Sequence, residues 1–238
     1  MGKGTDINSG RREAKELFLS LFLLFSIFLL LPPGLSFCGI GKNPVLFQSI
    51  FLLVLGGVFF FREWIGIAPG DLKRVFCLPE KGKRGKFFLV SFLAGAGFQL
   101  LALVLNFISL KVLTFFRIPA GEQTLITYLK KASFTGFFLF LIPVLILAPL
   151  AEEWVFRHVF YRQGCQRFSP KTSAILQALL FAVVHWHPSG FCSLFLFGLF
   201  LIWNVRRTGT LLGGILPHFF FNLLAMTGLF FWKLLSRI

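Results

Sequence analysis

The sequence contains few charged side chains. Asp, Glu, Lys and Arg make up 14% of its 238 residues, whereas a typical soluble domain carries about 25%. Apolar residues stand in their place. They account for 56% of the chain, and phenylalanine alone occupies 35 positions. This balance argues against a soluble globular domain and is typical of a chain surrounded by lipid.

Acidic residues are also few. Nine Asp and Glu face 24 Lys and Arg, so the net charge is +15. In a soluble protein this excess would raise the question of nucleic-acid binding. Here the basic residues lie between apolar segments, where they orient a membrane protein and meet anionic headgroups. No basic patch alternates with aromatics outside those segments, so we expect membrane lipids as partners and no nucleic acid.

Several catalytic signatures are missing. The chain has no G-x-S-x-G pattern and no HExxH helix, which argues against the common serine and zinc hydrolases. The cysteines form no CxxC pair and do not have zinc-knuckle spacing. We therefore predict free thiols at Cys38, Cys77, Cys165 and Cys192.

The sequence does contain apolar runs that approach or reach the length of a membrane helix, about 17–25 residues. Seven such runs are predicted, at residues 17–31, 45–61, 87–110, 136–163, 172–186, 191–205 and 211–235. The predicted fold class is all-α, a polytopic membrane bundle of about seven to eight helices. We divide it into a cytoplasmic tail (1–16), N-terminal helices and loops (17–135) and a C-terminal transmembrane core (136–238).

Basic residues gather on one side of the predicted membrane. They are dense in residues 1–16 and 62–86, and again in the turns that follow the fourth and sixth runs. The positive-inside rule therefore places the N-terminus in the cytoplasm. Seven spans would put the C-terminus outside, against which Lys233 and Arg237 argue, so the side of the C-terminus stays open.

Two adjacent carboxylates lie inside the fourth run. Glu152 and Glu153 come just after its apolar stretch 137–150, and Arg157 comes four residues after Glu153, on the same helix face. A charged side chain inside a membrane helix costs at least a few kcal/mol, and is a functional candidate for that reason. One arginine leaves one of the two carboxylates without a cation.

Two further helices carry polar residues at a similar depth. At about 1.5 Å per residue, Glu152 and His218 each lie roughly 16 Å from the inner surface, and His185 lies roughly 21 Å from it. Asn222 follows His218 by one turn, and Phe181 precedes His185 by one turn, where its ring can shield the site from lipid. Similar depth on three helices predicts one common site.

These side chains fit hydrolysis by activated water. A carboxylate can take a proton from water while His185 holds and polarises that water. His218 and Asn222 can donate hydrogen bonds to an oxyanion. No serine or cysteine is placed as a nucleophile, which favours water over a covalent intermediate. The spacing does not choose between Glu152 and Glu153 as the base.

The three patterns resemble those of the CPBP family of intramembrane glutamic endopeptidases, which includes CAAX proteases and bacteriocin-processing enzymes. Its EExxxR, FxxxH and HxxxN patterns stand at residues 152–157, 181–185 and 218–222. Residues 198–210 are similar to the stretch that precedes the last pattern. The resemblance covers roughly residues 148–225 and marks 136–238 as the catalytic core.

The resemblance implies a peptidase that opens to the cytoplasm and acts on a membrane-tethered peptide or protein, without a cofactor. It implies that Glu152 and His185 activate water, and that His218 and Asn222 stabilise the oxyanion. It gives supporting roles to Glu153, Arg157 and Phe181. We expect a prokaryotic inner (cell) membrane. Prenylated tails, bacteriocin leaders and sorting signals all fit as substrates.

Three other functions stay open. A zinc hydrolase would use Glu152, His185 and His218 as ligands, because a carboxylate with two histidines is a known catalytic zinc set. A transporter with a polar site at mid-membrane would also explain proline-broken helices, although the chain shows no internal repeat. A catalytically silent binding or immunity protein would keep the fold without the reaction.

Overall fold

A computed structural model describes residues 75–120, 124–185 and 187–236. The predicted tail and the predicted spans at 17–31 and 45–61 lie outside the described residues. The regular structure in the described part is helical, without a strand. The helices are apolar and several can cross a membrane, which confirms an all-α, polytopic integral membrane bundle.

Six helices organise the described part of the chain. They are α1 (Arg84–Phe115), α2 (Thr124–Lys131), α3 (Phe134–Gly164), α4 (Pro170–Val184), α5 (Phe191–Thr208) and α6 (Leu212–Leu235). Among the residues described, α1, α3, α5 and α6 are long and apolar enough to cross a membrane. The total of seven to eight helices stays a prediction, as do the boundaries of the three predicted regions.

The helix bounds differ from the predicted ones at both ends of α1 and of α4. α1 continues five residues past residue 110, and the Nζ atom of Lys111 lies 5.4 Å from the centre of the Phe107 ring. α4 has 15 residues, about 22 Å, which is shorter than the hydrocarbon core of about 30 Å. The helix has the 15 residues of the predicted run at 172–186 but begins and ends two residues earlier, and it is too short to cross the hydrocarbon core as a full span. α4 ends one residue before His185, which caps it.

α3 is an irregular helix. It contains two π-helical segments, Pro143–Leu147 and Trp154–Phe160, on either side of the α-helical Ala148–Glu153. A proline has no N–H to donate, so it frees a carbonyl and loosens the helix around it. π segments are uncommon and are frequent at functional sites. The second π segment begins immediately after Glu153.

Close helix contacts occur at glycines. A Cβ atom on Gly95 of α1 would lie 2.5 Å from the Pro217 carbonyl oxygen of α6. The sequence predicts a close-packing patch at residues 94–97, and Gly95 confirms it. On the other side of the bundle, a Cβ on Gly198 would lie 3.1 Å from Ala178, and Gln177 donates a hydrogen bond to the Gly198 carbonyl at 3.2 Å.

The prediction of free thiols is confirmed for the cysteines among the described residues. Cys77, Cys165 and Cys192 are free thiols, and Cys38 lies outside the described residues.

Lys233 is a structural residue near the end of α6. Its side chain is buried and donates hydrogen bonds to the carbonyls of Leu129 at 3.2 Å and Lys130 at 2.9 Å. These carbonyls belong to the last turn of α2, where a cation is favourable because helix C-termini carry partial negative charge. Lys233 therefore links α2 to α6, and because this contact explains its charge, it no longer indicates the side of the C-terminus. Arg237 lies outside the described residues.

We expect Lys233→Met to lower the thermal unfolding temperature by several degrees. The change leaves two helix-end carbonyls without their charged donor, and such hydrogen bonds contribute about 1.5–3 kcal/mol each. The measurement is tryptophan fluorescence during heating in detergent. Lys131→Met is the matched control, because Lys131 is an exposed residue of the same helix end. Equal unfolding temperatures for the two variants would contradict the role of Lys233.

Candidate active site

The two adjacent glutamates lie where α3 changes from α to π geometry, and both are buried. The relative exposure is 7% for Glu152 and 0% for Glu153. Adjacent residues on a helix point in different directions, about 100° apart for 3.6 residues per turn. The two carboxylates consequently meet different partners.

Glu153 has two charged or polar partners, both on one of its oxygens. Its Oε1 atom lies 3.1 Å from Nη1 of Arg157 and 2.9 Å from Nδ1 of His218. Its Oε2 atom lies against Gly214 of α6, where a Cβ atom would collide with it. The Arg157 side chain is itself fully buried, with its guanidinium 4.4 Å from the centre of the Phe181 ring. Glu153 is therefore a buried anchor between α3 and α6.

Glu152 has a different environment. Its Oε2 atom lies 3.8 Å from Nε2 of His185 and 3.7 Å from Nε2 of His218. Both distances exceed those of direct hydrogen bonds. Among the described residues, this buried oxygen has no hydrogen-bond partner. One carboxylate oxygen thus faces two imidazoles that come from α6 and from the end of α4.

The partners of the two histidines fix their hydrogens. Nδ1 of His185 lies 2.6 Å from the carbonyl oxygen of Phe181, and Nδ1 of His218 lies 2.9 Å from the Glu153 carboxylate. A carbonyl or carboxylate oxygen only accepts, so both Nδ1 atoms carry a hydrogen. The Nε2 atoms of both rings point toward Glu152 and are available to a ligand bound beside it.

Phe181 packs at the centre of the site. It is fully buried, with its ring centre 4.6 Å from that of His185 and 5.9 Å from that of His218. It also carries the Arg157 guanidinium on its face and meets Phe156 edge-on at 5.3 Å. Phe181 therefore fixes the positions of both histidines and of the arginine that holds Glu153.

Asn222 lies one turn beyond His218 and is turned toward α3. Its Nδ2 atom donates to the Val144 carbonyl at 2.9 Å. Val144 belongs to the first π segment, where the N–H of Ala148 bonds to the carbonyl five residues earlier. In that pattern the partner of Val144 would be Pro149, which has no N–H. Asn222 supplies the missing donor, and its amide keeps a second N–H.

The structure thus brings Glu152, His185 and His218 together and places Glu153, Arg157 and Phe181 directly behind them. Asn222 bonds to the backbone of α3 and borders the site through His218. Sequence reasoning missed Gly214. Its signal is the glycine pair at residues 213–214, one turn before His218 on the same face of α6.

The donor atoms around Glu152 are of the kinds that zinc binds, but they are widely spaced. With bonds of about 2.0–2.2 Å, the ligand atoms of a tetrahedral site lie roughly 3.3–3.6 Å apart, and here Glu152 lies 3.7 and 3.8 Å from the two nitrogens. Within residues 75–120, 124–185 and 187–236, no group of three or more His, Cys, Asp or Glu is arranged to hold a metal ion.

Residues 134–224 match the family model described as type II CAAX prenyl endopeptidase Rce1-like. This segment is therefore similar to an Rce1-like domain. It confirms the predicted resemblance to the CPBP and CAAX protease family, and all the site residues named above lie within it. No curated protein and no solved structure matches the chain. Together with the membrane helices, the domain indicates a membrane-embedded endopeptidase of the CAAX type.

We expect Gly214→Ala to reduce cleavage by about 10- to 100-fold, because displacing catalytic groups by about 1 Å can cost about 100-fold in rate. The added methyl group would push the Glu153 carboxylate away from Arg157 and His218. Peptide cleavage in liposomes measures the effect. Gly228→Ala on the same helix is the control, since a Cβ atom there would meet nothing within 4 Å. Equal activity of the two variants would show that Gly214 does not position Glu153.

Proposed function

We propose that this protein is an intramembrane endopeptidase that hydrolyses a peptide bond of a membrane-associated protein or peptide through water activated by Glu152 and His185. The observation that carries the proposal is the buried Glu152 oxygen, which faces two imidazole nitrogens at 3.7 and 3.8 Å. A metal ion is not required by this mechanism.

Glu152 is the better candidate for the base. A general base needs a lone pair directed toward the reacting water. Each glutamate has one buried oxygen without a hydrogen-bond partner among the described residues. That of Glu153 lies beside Gly214, where even a Cβ atom would collide with it, while its other oxygen is held by Arg157 and His218. That of Glu152 faces the two imidazole nitrogens. The separations from the two Nε2 atoms leave space for a water to bridge the groups, which direct contacts would not.

The proton movements follow from the hydrogen assignment. A water beside Glu152 donates one hydrogen to the carboxylate and the other to Nε2 of His185, whose Nδ1–H is held by the Phe181 carbonyl. Glu152 accepts the proton as the water oxygen attacks the substrate carbonyl. The resulting carboxylic acid then delivers the proton to the leaving amine.

His218 and Asn222 are placed to stabilise the oxyanion. For His218 to donate from Nε2 while Nδ1–H bonds to Glu153, its ring must be an imidazolium. Asn222 has a second amide hydrogen beyond the one bonded to Val144. Donors aimed at the developing charge are worth about 2.7–4 kcal/mol each in other hydrolases.

The distribution of basic residues supports access from the cytoplasm. If α1 and α3–α6 alternate in direction, the start of α1, the α3–α4 turn and the α5–α6 turn share one side. That side carries Lys81, Lys83, Arg84, Lys86, Arg162, Arg167, Lys171, Arg206 and Arg207. The opposite side carries Lys111, Arg117, Lys130 and Lys131, besides the buried Lys233. The positive-inside rule makes the richer side cytoplasmic, in a prokaryotic cell membrane.

The substrate is expected to be tethered to the membrane, because the Glu152 carboxylate lies roughly 18 Å of helix away from the end of α3. A prenylated tail is the first class to test, since the matching family model is that of prenyl endopeptidases. Bacteriocin leaders and sorting signals follow.

We expect wild-type protein in liposomes to cleave one class in a library of membrane-tethered peptides, and Glu152→Gln and His185→Ala to lose this cleavage by at least about 100-fold. General acid–base groups contribute about 10²–10⁴-fold. Glu80→Gln is the matched control for a glutamate-to-glutamine change and should keep full cleavage, because Glu80 is exposed and pairs only with Lys83 in the described part.

The outcomes separate the competing functions. Cleavage that persists in both variants would contradict the site assignment. Loss of wild-type cleavage after complete metal removal, with recovery on adding zinc, would favour a zinc hydrolase. A wild type that binds tethered peptides without cleaving any would favour a binding or immunity protein.

The two glutamates should differ in their effects on stability. Glu153→Gln breaks a fully buried ion pair, which typically costs 3–5 kcal/mol, so we expect its unfolding temperature to fall by on the order of 10 °C. Glu152→Gln removes a carboxylate that makes no direct hydrogen bond, so we expect a change below about 2 °C together with loss of cleavage. Thermal unfolding in detergent measures both. The opposite result would be a large fall in unfolding temperature for Glu152→Gln, and loss of cleavage with little destabilisation for Glu153→Gln. It would assign the base to Glu153.

A further inference from the structure

Pro217 creates a defect in α6 immediately before His218. It lies inside the helix and is buried. In an α-helix the carbonyl four residues earlier would accept the N–H of residue 217, but proline has none. The carbonyl of Gly213 is therefore left without its helical partner. A carbonyl left unbonded in an apolar interior costs free energy, so it is normally satisfied from elsewhere.

Asn204 of α5 supplies that partner. Its Nδ2 atom donates to the Gly213 carbonyl oxygen, and its side chain is 7% exposed. A carbonyl only accepts, so the amide nitrogen and not the amide oxygen faces it. The turn between the helices is held as well, because the Thr208 hydroxyl donates to the Asn204 carbonyl at 2.8 Å and Gly209 adopts a left-handed conformation with φ 69°.

The Asn204 bond lies next to the groups that hold the site. Gly214, which follows the bonded carbonyl, leaves room for the Glu153 carboxylate, with which a Cβ atom at this position would collide. His218, which follows Pro217, bonds to the same carboxylate at 2.9 Å. The stretch of α6 between the freed carbonyl and His218 is therefore fixed at one end by Asn204 and at the other by Glu153. Without Asn204, the first turns of α6 lose this hydrogen bond to α5.

We propose that Asn204 is a positioning residue for the reaction, which holds His218 and Glu153 in place by donating to the carbonyl that Pro217 leaves free. This inference rests on the proposed peptidase function. Asn204 touches neither the Glu152 carboxylate nor the two imidazoles by any described contact, so its effect passes through α6. The need for Asn204 follows from the missing N–H of Pro217.

A double-mutant cycle tests this dependence. Pro217→Ala returns an N–H that can bond to the Gly213 carbonyl, so the helix no longer needs an external donor. We expect Asn204→Ala to lower kcat at least tenfold with KM changed less than twofold in the otherwise wild-type chain. In the Pro217→Ala background, the same substitution should lower kcat less than threefold. The unfolding temperature should show the same pattern.

Asn106→Ala is the matched control for a polar contact between helices. Asn106 of α1 accepts a hydrogen bond from the Ser193 hydroxyl of α5 at 2.6 Å, and no proline is involved. Its effect on kcat and on the unfolding temperature should be the same in both backgrounds. Coupling confined to Asn204 and Pro217 would identify the freed carbonyl as the cause.

Either of two results would overturn the proposal. One is an Asn204→Ala effect of equal size in both backgrounds. The other is full kcat in the Asn204→Leu variant. This substitution keeps the approximate size of the side chain and removes the hydrogen-bond donor, and it tests the proposal without a Pro217 variant. Cleavage that persists in the Glu152→Gln variant would instead refute the proposed function. The double-mutant cycle measured by unfolding temperature would still report on the Asn204 hydrogen bond.

Discussion

The site depends on the buried ion pair between Glu153 and Arg157. Glu153 and Arg157 are both withdrawn from solvent and lipid, and each would be very costly to bury alone. Their pairing permits two adjacent carboxylates to exist in a membrane helix. Glu153 pairs with Arg157 and bonds to His218. Glu152 is therefore the carboxylate that has no arginine of its own. The aromatic ring of Phe181 completes the arrangement by packing against Arg157 and both histidines.

Proline and asparagine act together in this bundle. Pro149 and Pro217 each deprive a carbonyl of its partner inside a helix, and Asn222 and Asn204 each supply a donor from a neighbouring helix. The backbone irregularity and the interhelical hydrogen bond thus have one cause. The arrangement converts two local defects into two specific contacts between helices, at the places where α3 and α6 carry their polar residues.

Much of this arrangement was readable from the sequence, because a membrane restricts the choices. Apolar runs located α1, α3, α5 and α6, and the cost of burying charge singled out Glu152, Glu153 and Arg157. Hydropathy placed α4 two residues too late, because its ends are set by the capping residues Ser169 and His185 and not by the limits of the apolar run. It could not separate the surroundings of the two glutamates either, because these depend on Gly214 and His218, some 60 residues away. Lys233 was misleading because a buried lysine and a cytoplasmic lysine look alike in a sequence.

The bond between Asn222 and Val144 has a consequence for biogenesis. The ribosome delivers α3 well before α6, so the carbonyl that Pro149 leaves free, and the negative charge not balanced by Arg157, enter the membrane before their partners exist. Lipid tails offer no hydrogen bonds. Until the last helix arrives, these groups need water or the insertion machinery beside them. The order of synthesis therefore makes completion of the polar site one of the final steps in assembling the described bundle.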